Sequence, residues 1–332
     1  MLAGILQSGV GAYQLGLGVK NLAYDRQWAC PARLPCPVVS VGNLTVGGAG
    51  KTACTAWVAE QLRGWGKRVG ILSRGYGGSI PTPAVLMQRD GRLWLNGRPA
   101  QGIAGLPDEP QLLAVAVPGA PVLIGARREQ TGRHAIEQHQ AEVLVLDDGF
   151  QHRRLHRDCD LVLVQARMPL GGWPLLPRGP MREPLASLRR ADAVILTKAD
   201  QSLPVLGALE ERVRAINPRA VIAAAVHEPV ALVDAVSGAE TPPDQAAQLR
   251  VHLLSSIGDP EGFEHTLQRL GATVLSHESY PDHHPYTAEE WRRLAGAGDG
   301  DGWVTTEKDL VRLGPLVKAE PPRRGRVFPR AT

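Results

Sequence analysis

At 332 residues the chain has room for one large or two ordinary domains of roughly 150 residues each. Its 43% hydrophobic and 21% charged residues exclude a disordered protein. The net charge of +4 comes from 37 Lys and Arg interleaved with 33 Asp and Glu, without the basic stripe of a dedicated nucleic-acid binder, so no nucleic-acid partner is expected, while a partner bearing phosphates suits the surplus.

The first charged side chain is Lys20, and Leu2, Ile5, Leu6, Val10, Tyr13 and Leu17 fall at helical spacing. Residues 1–24 therefore read as an amphipathic helix, either docked on the protein or lying in a membrane interface with Lys20, Arg26 and Arg33 near head groups. No run of about 20 apolar residues follows, so no transmembrane span is expected. Cys30, Cys36, Cys54 and Cys159 form no CxxC pair and no zinc spacing, and read as reduced thiols.

Short apolar runs then alternate with helical stretches. Pro37 to Val41, Val69 to Leu72, Pro121 to Ile124, Val143 to Leu146, Leu161 to Val164, Ala193 to Leu196 and Val221 to Val226 read as strands, with a helix over Ala53 to Leu62. Continuous rather than alternating apolar runs mean strands covered on both faces. The expected fold is α/β, a mostly parallel sheet of the P-loop NTPase kind flanked by helices, with ligands at the strand C-terminal ends. A polar stretch from Ala239 to Gln248 reads as a linker or long loop. Val251 to Ser255, Thr273 to Ser276 and Trp303 to Thr305 give a second, smaller α/β domain, and the tail after Leu313 reads as poorly ordered or spanning between domains. The expected domains are 25–225 and 226–332.

After the first strand stands Gly42-Asn43-Leu44-Thr45-Val46-Gly47-Gly48-Ala49-Gly50-Lys51-Thr52. Gly50, Lys51 and Thr52 fit the phosphate-loop pattern G-x-x-x-x-G-K-[ST], but Thr45 replaces its first glycine. Glycines let successive N–H groups converge on phosphate oxygens, and the following helix adds its positive dipole end. Lys51 would reach the β- and γ-phosphates, and Thr52 would hold Mg²⁺. Asp147 and Asp148 close the strand Val143 to Leu146, and adjacent carboxylates there repel unless a cation neutralises them.

Two further segments stay open on the residues alone. Asp108-Glu109-Pro110 is an ordinary helix start, with Asp108 as cap. Asp282-His283-His284 reads as a surface loop, or as a histidine–carboxylate pair for proton transfer.

Taken together, these segments resemble the tetraacyldisaccharide 4′-kinase family. Ser73-Arg74-Gly75-Tyr76-Gly77-Gly78, Asp147-Asp148-Gly149-Phe150-Gln151-His152, Leu176-Pro177-Arg178-Gly179-Pro180-Met181-Arg182-Glu183-Pro184 and Thr305-Thr306-Glu307-Lys308-Asp309 complete the set, in the family's order and across nearly the whole chain. The Thr45 start of the phosphate loop is also similar to the family's form. The resemblance implies ATP-dependent phosphorylation, with Mg²⁺, of the 4′-hydroxyl of a tetraacylated glucosamine disaccharide 1-phosphate, giving lipid IVA in lipid A biosynthesis. The protein would be a monomer, cytoplasmic and peripheral on the inner membrane.

Carried onto this sequence, the resemblance assigns Thr45, Gly47, Gly48, Ala49, Gly50, Lys51 and Thr52 to the nucleotide. Thr52, Asp147, Asp148 and Glu183 go to the metal and the active-site floor. Asp108 becomes the base that accepts the sugar hydroxyl proton, tuned by His283, the histidine directly after Asp282. Arg74 and Arg178 are candidates for phosphate or acceptor contact. On this reading His283 and the phosphate loop come from different domains, which close around substrate. The sequence departs from the family at Gln165, where an acid is common, and at Gly171-Gly172-Trp173, in place of Gly-Asn-Gly.

Two alternatives belong to other classes. Thr197-Lys198-Ala199-Asp200 resembles a guanine-reading [NT]-K-x-D motif, as in a P-loop GTPase or metal-insertion chaperone, although no separate switch signature accompanies it. A non-catalytic nucleotide sensor of the same fold would not need Lys51, Thr52, Asp108, Asp147 and His283 all intact.

Overall fold

A computed structural model describes residues 2–101, 103, 105–169, 172–296, 300–321 and 328–331; for 2–10, 12 and 328–331 it describes the backbone alone. The chain divides into two units. The first holds 1–104 and 113–226, the second 105–112 and 227–332. The short excursion 105–112 into the second unit is a difference from the expected 25–225 boundary, and it carries Asp108.

The first unit is built in chain order from α1 (Leu2–Asp25), β1 (Val38–Asn43), α2 (Lys51–Gly64), β2 (Val69–Ser73), β3 (Ala84–Arg89), β4 (Arg92–Leu95), β5 (Arg98–Pro99), α3 (Asp108–Ala116, whose first turn belongs to the second unit) and β6 (Val122–Ile124). It continues with α4 (Arg128–His139), β7 (Val143–Asp147), β8 (Cys159–Gln165), β9 (Ala193–Thr197), α5 (Leu203–Ile216) and β10 (Val221–Ala225). The strands form one sheet in the order β10-β9-β8-β1-β7-β2-β6-β3-β4-β5, parallel from β10 to β6. The apolar runs of β1, β2, β6 and β7 are buried throughout or nearly so, as a sheet covered on both faces requires.

The antiparallel ribbon β3-β4-β5 extends the sheet beyond β6 and was not among the expected strands. Its turns are Asp90-Gly91 and Asn96-Gly97, with φ of 49°, 72°, 48° and 76°, the left-handed pairs that two-residue hairpins demand.

Two glycines fix the junction of β1 with the turn after β7. A Cβ on Gly42 would lie 2.6 Å from Cβ and 2.8 Å from the backbone nitrogen of Phe150; one on Gly149 would lie 2.6 Å from Ser40 Oγ. The two motifs are thus closely packed: a larger residue at Gly42 would displace the main chain of Phe150, and one at Gly149 would collide with the side chains of Ser40 and Leu146.

α1 docks along one face. Tyr13 Oη donates to the Arg182 carbonyl (2.8 Å), Lys20 Nζ to the Gln151 carbonyl (3.0 Å), and Arg153 reaches Asn21 and Asp25 while stacking on Tyr24. Leu15, Val19 and Leu22, at i, i+4 and i+7, form an exposed apolar stripe, 71%, 60% and 43% accessible. Lys20 is exposed and tethered at its tip to the Gln151 carbonyl. The side chains of Leu2, Ile5, Leu6 and Val10 lie outside the described residues, and no helix among those described is long and apolar enough to cross a membrane.

The second unit comprises β11 (Pro229–Val233), β12 (Glu240–Thr241), β13 (Arg250–Ser255), α6 (Pro260–Arg269), β14 (Thr273–Ser279), α7 (Ala288–Gly296), β15 (Gly302–Thr305), α8 (Glu307–Ala319) and β16 (Phe328–Ala331). A parallel sheet β14-β13-β15 is covered by clusters containing Leu253, Phe263, Leu267 and Val304, and Leu254, Trp291, Leu294, Trp303 and Leu313. A small antiparallel sheet β12-β11-β16 stands beside it.

Two expectations are corrected here. The 239–248 stretch is structured, as β12 and a short 3₁₀ turn with Ala246 buried. The tail is not simply disordered: α8 continues to Ala319 with Val317 buried, and β16 pairs with β11. Residues 322–327 lie outside the described set.

Candidate active site

In the first unit, the phosphate loop leaves β1, the fourth strand from the β10 edge, at its C-terminal end and enters α2. Gly47, Gly48 and Gly50 adopt φ of 71°, 47° and 81°, conformations that side chains resist. Gly50 caps α2 without any side-chain cap bond, so the first N–H groups of the helix are left for a ligand. The early part of the loop is braced. Asn43 Nδ2 donates to Thr45 Oγ1 (3.1 Å), and Val46 and Arg182 exchange backbone bonds with Pro180 and Leu44. That pairing explains how Thr45 replaces the usual glycine: it is buried and bridged to Met181 rather than exposed in the phosphate cradle.

At the end of β7, beside β1, Asp147 is buried and accepts from Thr55 Oγ1 at 3.1 Å. Asp148, in a left-handed conformation, pairs with Arg182 (2.6 Å) and stands 3.9 Å from Lys51 Nζ. Burial pushes its carboxyl up, but Lys51, Arg182 and Arg128 more than offset that and hold it below the usual carboxylate range. Arg128, at the start of α4, donates to the Gly125 carbonyl and is buried; desolvation, helped by the charge of Arg74, brings its guanidinium down to about 10 against the pull of Asp147 and Asp148.

Glu183 is engaged elsewhere. Its Oε2 accepts from Arg190 at 2.6 Å, and its Oε1 is buried without a hydrogen-bond partner. The structure thus gathers Lys51, Asp147 and Asp148 but pairs Glu183 with Arg190. No group of three or more His, Cys, Asp or Glu side chains converges as a metal set among the described residues. Two adjacent carboxylates with the hydroxyl of Thr52 still fit Mg²⁺, which takes hard oxygen donors and completes its shell with water and phosphate.

Arg74 follows the end of β2 and is exposed, as is Arg178. Gln165 is buried at the end of β8 and accepts from Arg167 Nε (3.1 Å). Of the Gly171-Gly172-Trp173 segment, Gly171 is outside the described residues, and Trp173 packs on the cluster with Met181 and Leu185.

His152 closes the motif that begins at Asp147, half-buried, with no hydrogen-bond partner for Nε2 among the described residues. Desolvation, then the charge of Arg128, brings its imidazole down to about 4. An unfolded histidine binds its proton near pH 6.5 and the folded one does not. This site therefore costs stability as pH falls from about 6.5 towards 4, and nothing further below that. His152→Asn is expected to flatten the fall in urea midpoint between pH 7.5 and 5 by up to one proton's worth; equal slopes in both proteins would refute the buried neutral ring.

In the second unit, Asp108 opens α3 but does not cap it. Its Oδ2 meets His283 Nδ1 at 3.1 Å and an Arg312 terminal nitrogen at 3.0 Å, and Oδ1 accepts no hydrogen bond among the described residues. His283 sits at φ 64°, a conformation uncommon for a side-chain residue, which turns its ring to Asp108. The hydrogen bond from Asp108 raises its pKa, against desolvation and Lys308. His284 faces away from this pair, stacked on Tyr280 and bonded to Glu290 at 3.1 Å. Of the two histidines, His283 is the one that contacts Asp108.

Sequence reasoning did not single out Arg128, Arg182, Lys308 or Arg312. Arg182 and Lys308 lay inside quoted motifs, but Arg128 and Arg312 carry no local signal. Ser255, His277 and Glu264 also line up in the order of an acyl-transfer triad, at 2.8 and 2.9 Å, but Ser255 is fully buried and reaches no substrate.

The LpxK family model, tetraacyldisaccharide-1-P 4′-kinase, matches residues 5–327. The chain belongs to this family. A tetraacyldisaccharide 4′-kinase of Syntrophus aciditrophicus (strain SB) is 40% identical over 316 residues, covering 92% of this chain and 83% of its own length. One from Anaeromyxobacter dehalogenans (strain 2CP-C) is 44% identical over 311 residues, covering 92% and 80%. The crystal structure of LpxK from Aquifex aeolicus in complex with ATP is similar with a TM-score of 0.72 at 30% identity, covering 100% of this chain and 94% of that one. Family membership leaves the GTPase alternative without support, and Thr197-Lys198-Ala199-Asp200 closes β9, two strands from β1, as a feature of the kinase sheet.

Proposed function

We infer that this chain is an ATP-dependent lipid kinase that phosphorylates the 4′-hydroxyl of tetraacyldisaccharide 1-phosphate in lipid A biosynthesis. The observation that carries the reading is an intact phosphate loop, Lys51 and Thr52 included, in a chain matched to the family over residues 5–327. The backbone of Gly47, Gly48, Ala49 and Gly50 cradles the phosphates, with Thr45 bracing the loop and Lys51 drawing charge from the transferring group. Thr52, Asp147 and Asp148 would hold Mg²⁺, which supplies further charge neutralisation when bound. Glu183, tied to Arg190, supports the floor beneath.

Asp108 accepts the hydroxyl proton on Oδ1, and His283 steadies Oδ2. Phosphoryl transfer needs positioning more than a strong base, so a carboxylate suffices. Arg74 and Arg178, both exposed cations, suit the acceptor's phosphate. The protein works as a peripheral monomer at the cytoplasmic face of the inner membrane. The apolar stripe Leu15, Val19 and Leu22 supports that placement, since each such side chain gains up to about 1.5–3 kcal/mol on leaving water.

The test is transfer from γ-labelled ATP to tetraacyldisaccharide 1-phosphate in detergent micelles. Labelled lipid that requires Mg²⁺ and disappears with chelator is expected. GTP hydrolysis without labelled lipid would overturn the reading.

A further inference from the structure

The Thr305-Thr306-Glu307-Lys308-Asp309 motif contributes nothing to the roles assigned so far, yet α8 directs two cations at the Asp108–His283 pair. Lys308 and Arg312 are four residues apart and so share a helix face. Lys308 Nζ meets Asp282 Oδ1 at 2.8 Å, His283 Nε2 at 3.2 Å and Glu109 Oε1 at 3.6 Å. An ammonium has three donors and no acceptor, and here three acceptors surround it. With Lys308 donating to Nε2, the neutral ring carries its proton on Nδ1 and donates it to Asp108.

Arg312 is itself fixed. One terminal nitrogen binds Asp309 (2.6 Å), Ser256 Oγ (2.8 Å) and the Ser256 carbonyl (3.2 Å), while the other stands 3.0 Å from Asp108 Oδ2 as an ion pair without hydrogen-bond alignment. Asp309, fully buried, is anchored in turn by Ser256, Thr306 and Tyr286. A guanidinium held at one end keeps its charge beside that oxygen.

We propose that Lys308 and Arg312 are positioning residues for phosphoryl transfer: Lys308 sets the His283 tautomer, and Arg312 holds Asp108 Oδ2 so that Oδ1 faces the hydroxyl. This rests on the reading of Asp108 as the base. The charged groups facing Asp108 are His283 from the loop after β14 and Arg312 from α8, with Glu109, Lys308, Asp282 and Asp309 one contact further out.

The experiment measures kcat and the KM for ATP, with thermal unfolding beside them, for the full chain in Arg312→Met, Arg312→Lys and Lys308→Met. Arg312→Met is expected to lower kcat by up to about 10²-fold with the KM for ATP nearly unchanged. Arg312→Lys, which keeps the charge, recovers most of that loss. In the wild type, at a pH above the raised His283 pKa where the ring is neutral, the ¹⁵N signals are expected to be those of the Nδ1–H tautomer, and in Lys308→Met they shift towards the Nε2–H form, with Glu109 Oε1 as acceptor.

A loss in Arg312→Met shared between kcat and the KM for ATP, or one that a folded Arg312→Lys does not recover, means a merely structural role and overturns the Arg312 assignment. Unchanged imidazole signals in Lys308→Met overturn that of Lys308. If Arg312→Met fails to fold, Arg312→Lys decides: a folded variant with kcat lowered by about 10²-fold refutes the electrostatic role. Wild-type turnover in Asp108→Asn would instead remove the base reading beneath both.

Discussion

Asp108→Asn is expected to reduce lipid phosphorylation by about 10²- to 10⁴-fold, the contribution of a positioned general base, while the KM for ATP changes little. The amide keeps the shape of the carboxylate but cannot take up the hydroxyl proton. Both contacts to Asp108 from His283 and Arg312 fall on Oδ2, and among the described residues none falls on Oδ1, so the substitution acts on the oxygen left for the hydroxyl. The substitution also leaves Arg312 facing a neutral partner in a site where both are largely buried, so some stability is lost with it. Thermal unfolding beside the kinetics separates the two effects. A folded variant that turns over within threefold of wild type would take Asp108 out of proton transfer.

Lys51→Met is expected to lower kcat by about 10²- to 10³-fold, the scale seen when one charge-stabilising donor is removed from a transition state. Stability changes little, because Asp148 keeps its 2.6 Å pair with Arg182 when the 3.9 Å contact to Lys51 goes. The measurement is single-turnover transfer with ATP in excess, so that weaker nucleotide binding is not mistaken for slower chemistry. Unchanged single-turnover rates would mean that Lys51 binds phosphate without stabilising the transfer.

Much of the first unit is legible in local sequence because its signals are local. Val143 to Leu146 is an uninterrupted apolar run, and it forms a buried strand ending on two aspartates. The loop glycines announce positive φ, and Gly47, Gly48 and Gly50 adopt it. The antiparallel ribbon escapes a local reading although Asp90-Gly91 and Asn96-Gly97 carry the hairpin turns in plain residues, since its apolar runs, Ala84 to Met87 and Leu93 to Leu95, are only four and three residues long.

The sequence by itself determined the sheet, the phosphate loop, the paired aspartates and, through motifs in a fixed order, the family. Only the tertiary structure decided which carboxylates work together. Glu183 stands in a motif with Arg182, yet it pairs with Arg190 while Arg182 takes Asp148. Asp108 reads as a helix cap until residues 175 and 204 positions further along bring an imidazole and a guanidinium to one of its oxygens. The physical reason is range. Backbone conformation and burial period are set by neighbours a few residues away, whereas the direction of a charged side chain is set by whichever opposite charge packing delivers, and no local pattern encodes that partner.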